Sequence, residues 1–394
     1  MKKKKIGCVL AVRKSNHNNY GTSLQAYATV KVLQDNNYEV RIIRYNKHRS
    51  ALATLFAVPN YLKSGGKSEL MIRLNKMFNN TFNKSFKRNN SIRNKAVETF
   101  KDTYFEPLCD YYDSYLALKK GSKLYDLCMV GSDQLWSPKG FASQFYNLMF
   151  VDENVPKIAY AASFGVSSIP EFQHKGTKKY LERLDWISVR EIKGKEIVES
   201  LSNAKADFVC DPTMLLSKSE WEEFSMLSTK KINDSYIFVY FLGERPEIRE
   251  KASELAQKTG CKLVVMRHVD KYIKIDDDFG DYAPFDVNPR DFVKLLCNAN
   301  FVLTDSFHGT IFSIMMEKKF ITFYRVCPTT AGSTHSRIDS LLCKFGLTAR
   351  LYKNDIYKQA VADIDYCEVR KKVDEFRNFS KNLLLGYLKI LCIN

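Results

Sequence analysis

Short apolar runs alternate along the chain with segments in which apolar residues recur at helical spacing. Runs such as Leu127–Val130 and Phe301–Thr304 are bounded by turn residues, which is typical of strands buried on both faces. Segments such as Pro246–Thr259 carry a proline in the first turn and an apolar stripe, which predicts an α-helix. Strands that alternate with helices predict parallel sheets covered by helices, so the expected fold class is α/β.

A polar stretch at residues 225–235 divides this alternating pattern into two series. We therefore expect two Rossmann-like domains that face a cleft, with ligands at the carboxyl ends of the strands. The predicted N-terminal domain covers residues 1–225 and includes a basic helical insertion at about 48–120. The predicted C-terminal domain covers residues 226–350, and a helical tail follows at 351–394.

The predicted insertion is strongly basic. Residues 61–101 hold ten Lys or Arg against two Asp or Glu, and the whole chain has a net charge of +17. Apolar residues at four-residue spacing predict one apolar helix face there: Leu70, Leu74, Phe78, Phe82 and Phe86. Such a helix can contact an anionic membrane surface, or it can pack on its own protein with a solvated basic face. We expect the second arrangement, and no RNP, helix-turn-helix or zinc-finger pattern points to nucleic acid.

The cysteines and the apolar runs favour the cytoplasm. Ten cysteines are scattered without a C-x-x-C pair, which is typical of reduced thiols. The chain has no run of about 18 apolar residues that would predict a spanning helix. The apolar stretch after the basic start is too short for a signal peptide. We expect a cytoplasmic protein, or one at the periphery of the inner membrane face.

Several chemistries are disfavoured by motifs that the chain lacks. No G-x-G-x-x-G follows a predicted strand, so a dinucleotide cofactor is not indicated. The chain also has no H-E-x-x-H, no zinc-like cluster of His and Cys, and no G-x-S-x-G elbow. These absences argue against an oxidoreductase, a metalloprotease and an α/β-hydrolase. No cofactor and no metal are predicted.

Polar residues directly follow several predicted strands. The clearest case is Asp305–Thr310, where a strand, a tight turn and a helix start succeed one another. Such a turn aims backbone N–H groups at one point, which suits an anion, and His308 adds a proton donor beside it. Similar groups follow other strands: Asn19–Thr22, Gly131–Trp136, Ser188–Glu191 and Asp211–Thr213. Each has a purely structural alternative, since glycines permit sharp turns and Asp305 would serve as a helix N-cap.

Taken in order, five segments resemble the motifs of the polysaccharide pyruvyl transferase family: Asn19–Ala28, Val130–Trp136, Ile187–Glu191, Asp211–Thr213 and Thr304–Thr310. The resemblance spans roughly residues 5–345. It implies a glycosyltransferase-B-like fold of two Rossmann-like domains. It also implies transfer of an enolpyruvyl-derived group from phosphoenolpyruvate to two sugar hydroxyls. The product would be a cyclic pyruvate ketal on a precursor of a surface polysaccharide or exopolysaccharide.

The resemblance also implies donor-binding residues. Arg190 matches an arginine that is associated with the donor in the family, and His308 matches the histidine of a family R-x-H segment. Ser306 stands where that segment has its arginine, so one cationic group is missing. Arg337 or Arg325 would then have to supply the charge.

From these residues we predict a site with three parts. His308 would act as general acid or base, because imidazole titrates near neutral pH, and Asp133 would orient or deprotonate an acceptor hydroxyl. Arg190 would hold the phosphate or the carboxylate of the donor. The remaining predicted donor contacts are Arg337 and the N–H groups of Gly309 and Thr310. The predicted acceptor contacts are Asn19, Gly21, Gln25 and Trp136.

Two other functions fit the same residues. A sugar transferase of this fold with a nucleotide-sugar donor would use Arg190 and His308 to contact phosphates. A catalytically silent, sugar-binding member of the family would tolerate Ser306 in place of the arginine. The expected partners are phosphoenolpyruvate and a sugar acceptor, which can be lipid-linked. The basic insertion would suit peripheral membrane contact with such an acceptor.

Overall fold

The computed structural model describes residues 3–12, 19–46, 67–138, 144–268, 270–326 and 336–392, with the backbone alone at 67–69 and 73. Its strands form two separate parallel sheets, one of seven strands and one of four. Helices follow most of the strands along the chain, as the alternating pattern predicts. The predicted α/β class is confirmed.

The first sheet has the strand order β3-β2-β1-β4-β5-β6-β7, and all neighbouring strands are parallel. Its strands are β1 (Lys5–Val9), β2 (Glu39–Tyr45), β3 (Cys109–Tyr112), β4 (Leu127–Val130), β5 (Lys157–Ala162), β6 (Trp186–Val189) and β7 (Asp207–Phe208). This order extends the doubly wound order of six strands by one. The carboxyl ends of β1, β4, β6 and β7 therefore meet at one edge.

The second sheet has the strand order β11-β10-β8-β9 and is also parallel throughout. Its strands are β8 (Tyr236–Tyr240), β9 (Lys262–Val265), β10 (Phe301–Thr304) and β11 (Lys319–Thr322). Every residue of β8 is buried, which agrees with a central strand that has helices on both faces.

Helices account for most of the remaining regular structure. In chain order they are α1 (Tyr20–Asp35), α2 (Lys67–Phe82), α3 (Lys84–Tyr104), α4 (Tyr115–Gly121), α5 (His174–Leu181), α6 (Ile192–Leu201), α7 (Lys218–Met226), α8 (Pro246–Thr259), α9 (Pro289–Asn298), α10 (Phe307–Met315), α11 (Ser336–Lys344), α12 (Ile356–Val361) and α13 (Tyr366–Leu391). Local chemistry sets the bounds of α8 and α9, which are the predicted ones. Proline occupies the first turn of each, Asn288 and Asp291 form a capping box on α9, and Gly260 ends α8 with a φ of +70°.

The predicted insertion differs from expectation in two ways. It contains β3, a half-exposed edge strand that no apolar run marks in the sequence. Its apolar helix face is also not packed on the protein: Leu70, Leu74, Phe78 and Phe82 lie on α2 and are 44–71% exposed. Phe86 belongs to α3 and is buried. Residues 47–66 lie outside the described part of the chain, and no helix within that part is long and apolar enough to cross a membrane.

The long helix α13 packs on the first sheet although it follows the second sheet in the chain. The ring of Tyr387 stacks on Trp186 with centroids 4.5 Å apart, and the Ser380 Oγ accepts from the Cys210 N–H at 2.9 Å. The helix also reaches the segment after β7, where Arg377 donates to the Met214 carbonyl. The predicted bounds of the two domains and of the tail stay a prediction.

Candidate active site

The turn between β10 and α10 is held by its own hydrogen bonds. Ser306 caps α10, because its Oγ accepts from the Gly309 N–H at 3.3 Å. The Ser306 carbonyl accepts from the Thr310 N–H at 2.9 Å. The N–H groups of Gly309 and Thr310 are therefore both bonded within the turn, and their contact with a donor anion stays a prediction. Both residues shape the start of a buried helix.

Asp305 does not cap α10. Its carboxylate accepts from the N–H groups of Leu242 and Gly243, each at 2.7 Å, in the segment that follows β8. The residue is buried, and Arg325 Nε lies 4.0 Å from its Oδ1. Asp305 therefore connects the segments that follow β8 and β10 and stabilises this edge of the second sheet.

His308 lies between the two halves of the molecule. Its Nε2 atom is 3.5 Å from Oδ2 of Asp211, which follows the last strand of the first sheet. On the other side of the ring, a Cβ atom at Gly21 would lie only 2.1 Å from Nδ1. Glycine at the start of α1 is therefore what allows the histidine to approach. Gly21 has a packing role toward His308, which differs from the predicted contact with an acceptor.

Asp211 is the hub of a buried polar cluster. Its Oδ2 accepts from Arg190 Nη1 at 2.6 Å and from Ser132 Oγ at 2.9 Å. Its Oδ1 accepts from the N–H and the Oγ1 of Thr213 at 3.0 and 2.8 Å. Burial alone would raise the pKa of Asp211, but His308 and Arg190 outweigh burial and hold that pKa well below its usual range. Asp211 therefore stays ionised and places a fixed negative charge 3.5 Å from His308 Nε2.

Arg190 is neutralised by the protein itself. Its side chain is 1% exposed, and its second Nη atom lies 3.3 Å from Oδ1 of Asp133 in addition to the bond with Asp211. The space beside it measures about 10 Å³, which is at the lower limit for a single water molecule. Arg190 is therefore not an open cation in this geometry, and its contact with the donor stays a prediction. Arg190 positions the two aspartates.

Asp133 adopts a left-handed backbone conformation, with a φ of +76°. Thr22 Oγ1 donates to its Oδ2 at 2.7 Å, and the Gln134 N–H donates to its Oδ1 at 2.9 Å. Burial opposes the charge, but Arg190 and His308 outweigh burial and lower the pKa of Asp133 to about 2. A carboxylate this acidic is a weak base, so the geometry favours orienting an acceptor hydroxyl over deprotonating it.

Arg337 is the second guanidinium near this cluster. The ring of Phe307 lies 4.8 Å from Arg190 Cζ and 5.7 Å from Arg337 Cζ, so one aromatic ring serves both cations. With the Gln134 amide oxygen turned toward it, Arg337 donates through both Nη atoms at 3.0 and 3.2 Å. Burial and then the like charge of Arg190 lower the pKa of Arg337 to about 10. Arg337 forms no ion pair with the carboxylates of the described residues.

A cavity of about 700 Å³ opens beside the start of α1, at the carboxyl ends of β8, β9 and β11. Cations outnumber carboxylates on its walls: Arg93, Arg245, Arg267 and Arg325 face Glu244 and Asp270. The cavity also contains His268, whose pKa is lowered by burial. Arg325 joins the cavity to the turn after β10, because it lines the cavity and its Nε lies 4.0 Å from Asp305 Oδ1.

Of the predicted acceptor contacts, only Asn19 lines this cavity. Gln25 is completely buried, and its Nε2 donates to the Thr22 carbonyl within α1. Trp136 is also buried, packs against aromatic neighbours and donates from Nε1 to the Tyr146 carbonyl at 3.0 Å. Neither side chain is open to a sugar in this structure, and the acceptor contacts of Gln25 and Trp136 stay predictions.

Several residues of the site were missed as functional candidates. Asp211 belongs to the segment Asp211–Thr213, which resembles a family motif, and its position after a strand was the available indication of a role in the site. Thr22 and Ser132 also lie in segments that resemble the family motifs, but their hydroxyls donate hydrogen bonds to carboxylates from distant parts of the chain. The arginines of the cavity belong to no motif, because Arg93 lies on α3 and the other three follow three different strands.

The structure resembles solved proteins over nearly its whole length. A UDP-N-acetylglucosamine 2-epimerase from Listeria monocytogenes has 11% identity and a TM-score of 0.53, covering 98% of this chain and 96% of its own. The Methanocaldococcus jannaschii UDP-GlcNAc 2-epimerase, solved with UDP-GlcNAc and UDP, has 12% identity, a TM-score of 0.50 and coverage of 98% and 99%. MnaA of Staphylococcus aureus, solved with UDP, has 14% identity, a TM-score of 0.51 and coverage of 98% and 96%.

These similarities concern the fold, and they confirm the predicted glycosyltransferase-B-like arrangement of two Rossmann-like units. A comparison with curated protein sequences finds no match. The model of the family described as polysaccharide pyruvyl transferase matches residues 19–325, which is well over half of the chain. The protein therefore belongs to the polysaccharide pyruvyl transferase family.

Proposed function

We propose that this protein transfers an enolpyruvyl-derived group from phosphoenolpyruvate to two hydroxyls of one sugar and so forms a cyclic pyruvate ketal. The sugar would belong to a precursor of a surface polysaccharide or exopolysaccharide. Family membership supports the reaction class. The observation that carries the donor assignment is the surplus of positive charge around Arg325 and Arg337.

Phosphoenolpyruvate carries a phosphate and a carboxylate, so its site needs cations that the protein has not already neutralised. Arg190 fails this test because two aspartates hold it. Arg337 has no carboxylate partner among the described residues. Burial and then the like charge of Arg190 lower its pKa, and a bound anion would offset both effects. Arg325 has a long contact of 4.0 Å with Asp305, but its side chain is 36% exposed and lines the cavity of about 700 Å³, which has room for a small dianion. These two arginines would replace the cation that is missing at Ser306.

The chemistry needs a proton donor and an oriented acceptor. Protonation of the methylene carbon of the donor creates an oxocarbenium-like centre, to which one sugar hydroxyl and then the other add. The C–O bond to phosphate breaks, one hydroxyl proton ends on the new methyl group, and the other leaves with phosphate. His308, whose Nε2 lies 3.5 Å from the Asp211 carboxylate, would move these protons. Asp133 and Asn19 would orient the acceptor.

The acceptor is the less defined partner. Asn19 lines the cavity, and Asp133 accepts a hydrogen bond from Thr22 in the first turn of α1. An acceptor hydroxyl would therefore enter beside the start of α1. We also propose that the protein works in the cytoplasm at the inner membrane face, where a lipid-linked acceptor would be presented. The basic residues of α2 and α3 support that location.

Titration calorimetry with small anions tests the donor assignment. Phosphoenolpyruvate should bind more tightly than either inorganic phosphate or pyruvate, because only the intact donor engages both arginines. Arg325→Gln should weaken its binding, whereas Arg370→Gln on the exposed surface of α13 should not. Equal affinity for phosphoenolpyruvate and inorganic phosphate would contradict a site built for the donor.

One observation favours a second candidate, a transferase with a nucleotide-sugar donor. The cavity lies at the carboxyl ends of a parallel sheet and is lined by arginines, which suits a diphosphate. Two structurally similar proteins were solved with UDP. If the same titration yields binding of UDP or GDP and none of phosphoenolpyruvate, this candidate replaces the first. Binding of none of these ligands would favour a catalytically silent family member.

A further inference from the structure

An ordinary surface helix packs its apolar face on the protein and exposes its polar face. Helix α2 has the reverse arrangement. Its inner face is polar and attaches to the second half: Lys76 pairs with Asp270 at 2.9 Å, and Asn75 Oδ1 accepts from the Tyr272 N–H at 2.9 Å. Asn79 on the same face is buried. The helix is therefore held on the protein by polar contacts, and its apolar residues point elsewhere.

The outer face of α2 is apolar and exposed. Seven of the 21 large apolar side chains that are exposed in the described residues lie on this one helix. All but Ile72, which lines the cavity, belong to the outer face: Leu70, Met71, Leu74, Met77, Phe78 and Phe82. Met71, Leu74, Phe78 and Phe82 recur at spacings of three and four, so they form one stripe. The rings of Phe78 and Phe82 lie 4.8 Å apart at its end. A contiguous apolar surface of this kind marks an interaction site.

The charge beside this stripe selects the kind of partner. Helix α3 folds back on α2 through a hydrogen bond between Asn90 and Asn80, and it exposes four cations: Lys84, Lys87, Arg88 and Lys95. A second copy of the chain would bring an equally basic surface against this one, and like charges would repel. An anionic bilayer supplies both an apolar interior and the opposite charge.

The position of α2 connects this surface to the cavity. Ile72 of α2 and Arg93 of α3 both line the cavity of about 700 Å³. Arg93 also donates to the carbonyls of Pro284 and Phe285, which anchors α3 to the second half of the molecule. A membrane in contact with the outer face of α2 would therefore lie close to the rim of the cavity.

We propose that the outer face of α2 inserts into the headgroup region of an anionic phospholipid bilayer and holds the cavity beside it. An acceptor sugar on a lipid anchor would then reach the cavity without leaving the membrane. This last step rests on the proposed function. The membrane contact itself does not, because it follows from α2 and α3 alone.

Sedimentation with vesicles tests the contact in the absence of any substrate. The full chain should sediment with vesicles of phosphatidylcholine and phosphatidylglycerol, and much less with phosphatidylcholine alone. Replacing two rings of the stripe, Phe78→Ser with Phe82→Ser, should lower vesicle affinity by about tenfold or more, because their apolar area is no longer buried. The matched control is Phe172→Ser with Phe379→Ser, since both rings are 51% exposed elsewhere on the surface. It should keep wild-type affinity.

A charge variant and a salt series complete the test. Lys87→Glu with Arg88→Glu should remove the preference for anionic vesicles, and added salt should weaken wild-type binding because it screens exposed charges. The proposal is overturned if the wild type ignores both kinds of vesicle, or if the two phenylalanine pairs behave alike. It is also overturned if the protein is a dimer without vesicles and the Phe78 and Phe82 variant is a monomer. Calorimetry with phosphoenolpyruvate in vesicle-free buffer separates its failure from failure of the proposed function.

Discussion

Replacing Asp211 by asparagine tests whether the buried cluster is held together as described. The side chain keeps its size, but the group that faces Arg190 and His308 loses its charge. Arg190 would keep the contacts with its other two carboxylate neighbours, 3.3 Å to Asp133 and 3.9 Å to Glu191. Removing one partner of a buried ion pair costs about 3–5 kcal/mol, because the remaining charge is left uncompensated. Since Asp133 compensates part of this charge, we expect a loss of about 3 kcal/mol.

Thermal unfolding followed by circular dichroism measures this loss. For a large domain, about 3 kcal/mol corresponds to a fall of roughly 6 °C in the melting temperature at pH 7. The matched control is Asp363→Asn, which removes an equivalent charge from an exposed pair with Lys319. That change should leave the melting temperature close to the wild-type value.

The pH dependence gives an independent check. The folded pKa of Asp211 lies below its unfolded value, so its contribution is complete above the unfolded pKa of about 3.9 and is lost as the pH falls below it. The difference in melting temperature between wild type and Asp211→Asn should therefore shrink as the pH falls from about 6 to about 3. A difference no larger than that of Asp363→Asn, or one that stays constant over this pH range, would refute the described cluster.

Two further changes probe packing at the site. Gly21→Ala should lower both the melting temperature and the affinity for phosphoenolpyruvate measured by calorimetry, because the new Cβ would lie 2.1 Å from His308 Nδ1. Gly386→Ala is its control, has open space around the added carbon and should not lower the melting temperature. Trp136→Phe should lower the free energy of unfolding in urea by about 1–3 kcal/mol through the lost bond to Tyr146 and lost volume. Its affinity for phosphoenolpyruvate should match the wild type.

Much of the fold could be predicted because local chemistry and periodicity agree. The bounds of β4, β6 and β10 and of α8 and α9 follow from apolar runs, first-turn prolines and caps. The edge strand β3 could not be predicted, because Cys109–Tyr112 is half-exposed and lacks an apolar run. The outward apolar face of α2 also escaped prediction, because spacing identifies a stripe but not the surroundings that the stripe faces.

The sequence predicts that the site is formed by residues at the carboxyl ends of strands, but it does not predict the role of each residue. The sequence identifies Arg190 and Asp211 as residues after strands, but nothing in it says that the aspartate neutralises the arginine across 21 residues. Trp136 and Gln25 follow the same rule of position, and tertiary packing turns both side chains inward. Sequence comparison already offered Arg325 and Arg337 as replacement cations, but only the structure shows that Arg325 lines the cavity, 4.0 Å from Asp305, and that Arg337 has no carboxylate partner among the described residues.

The most direct test of the account is the melting temperature of the protein at increasing phosphoenolpyruvate, with Arg325→Gln beside the wild type and Arg370→Gln as a control on α13. A ligand that binds only the folded protein stabilises it by about 2.7 kcal/mol at 100 times its Kd. The account predicts a concentration-dependent rise for the wild type and for Arg370→Gln, and a much smaller rise for Arg325→Gln. An equal rise in all three proteins, or a rise with UDP and none with phosphoenolpyruvate, would contradict it.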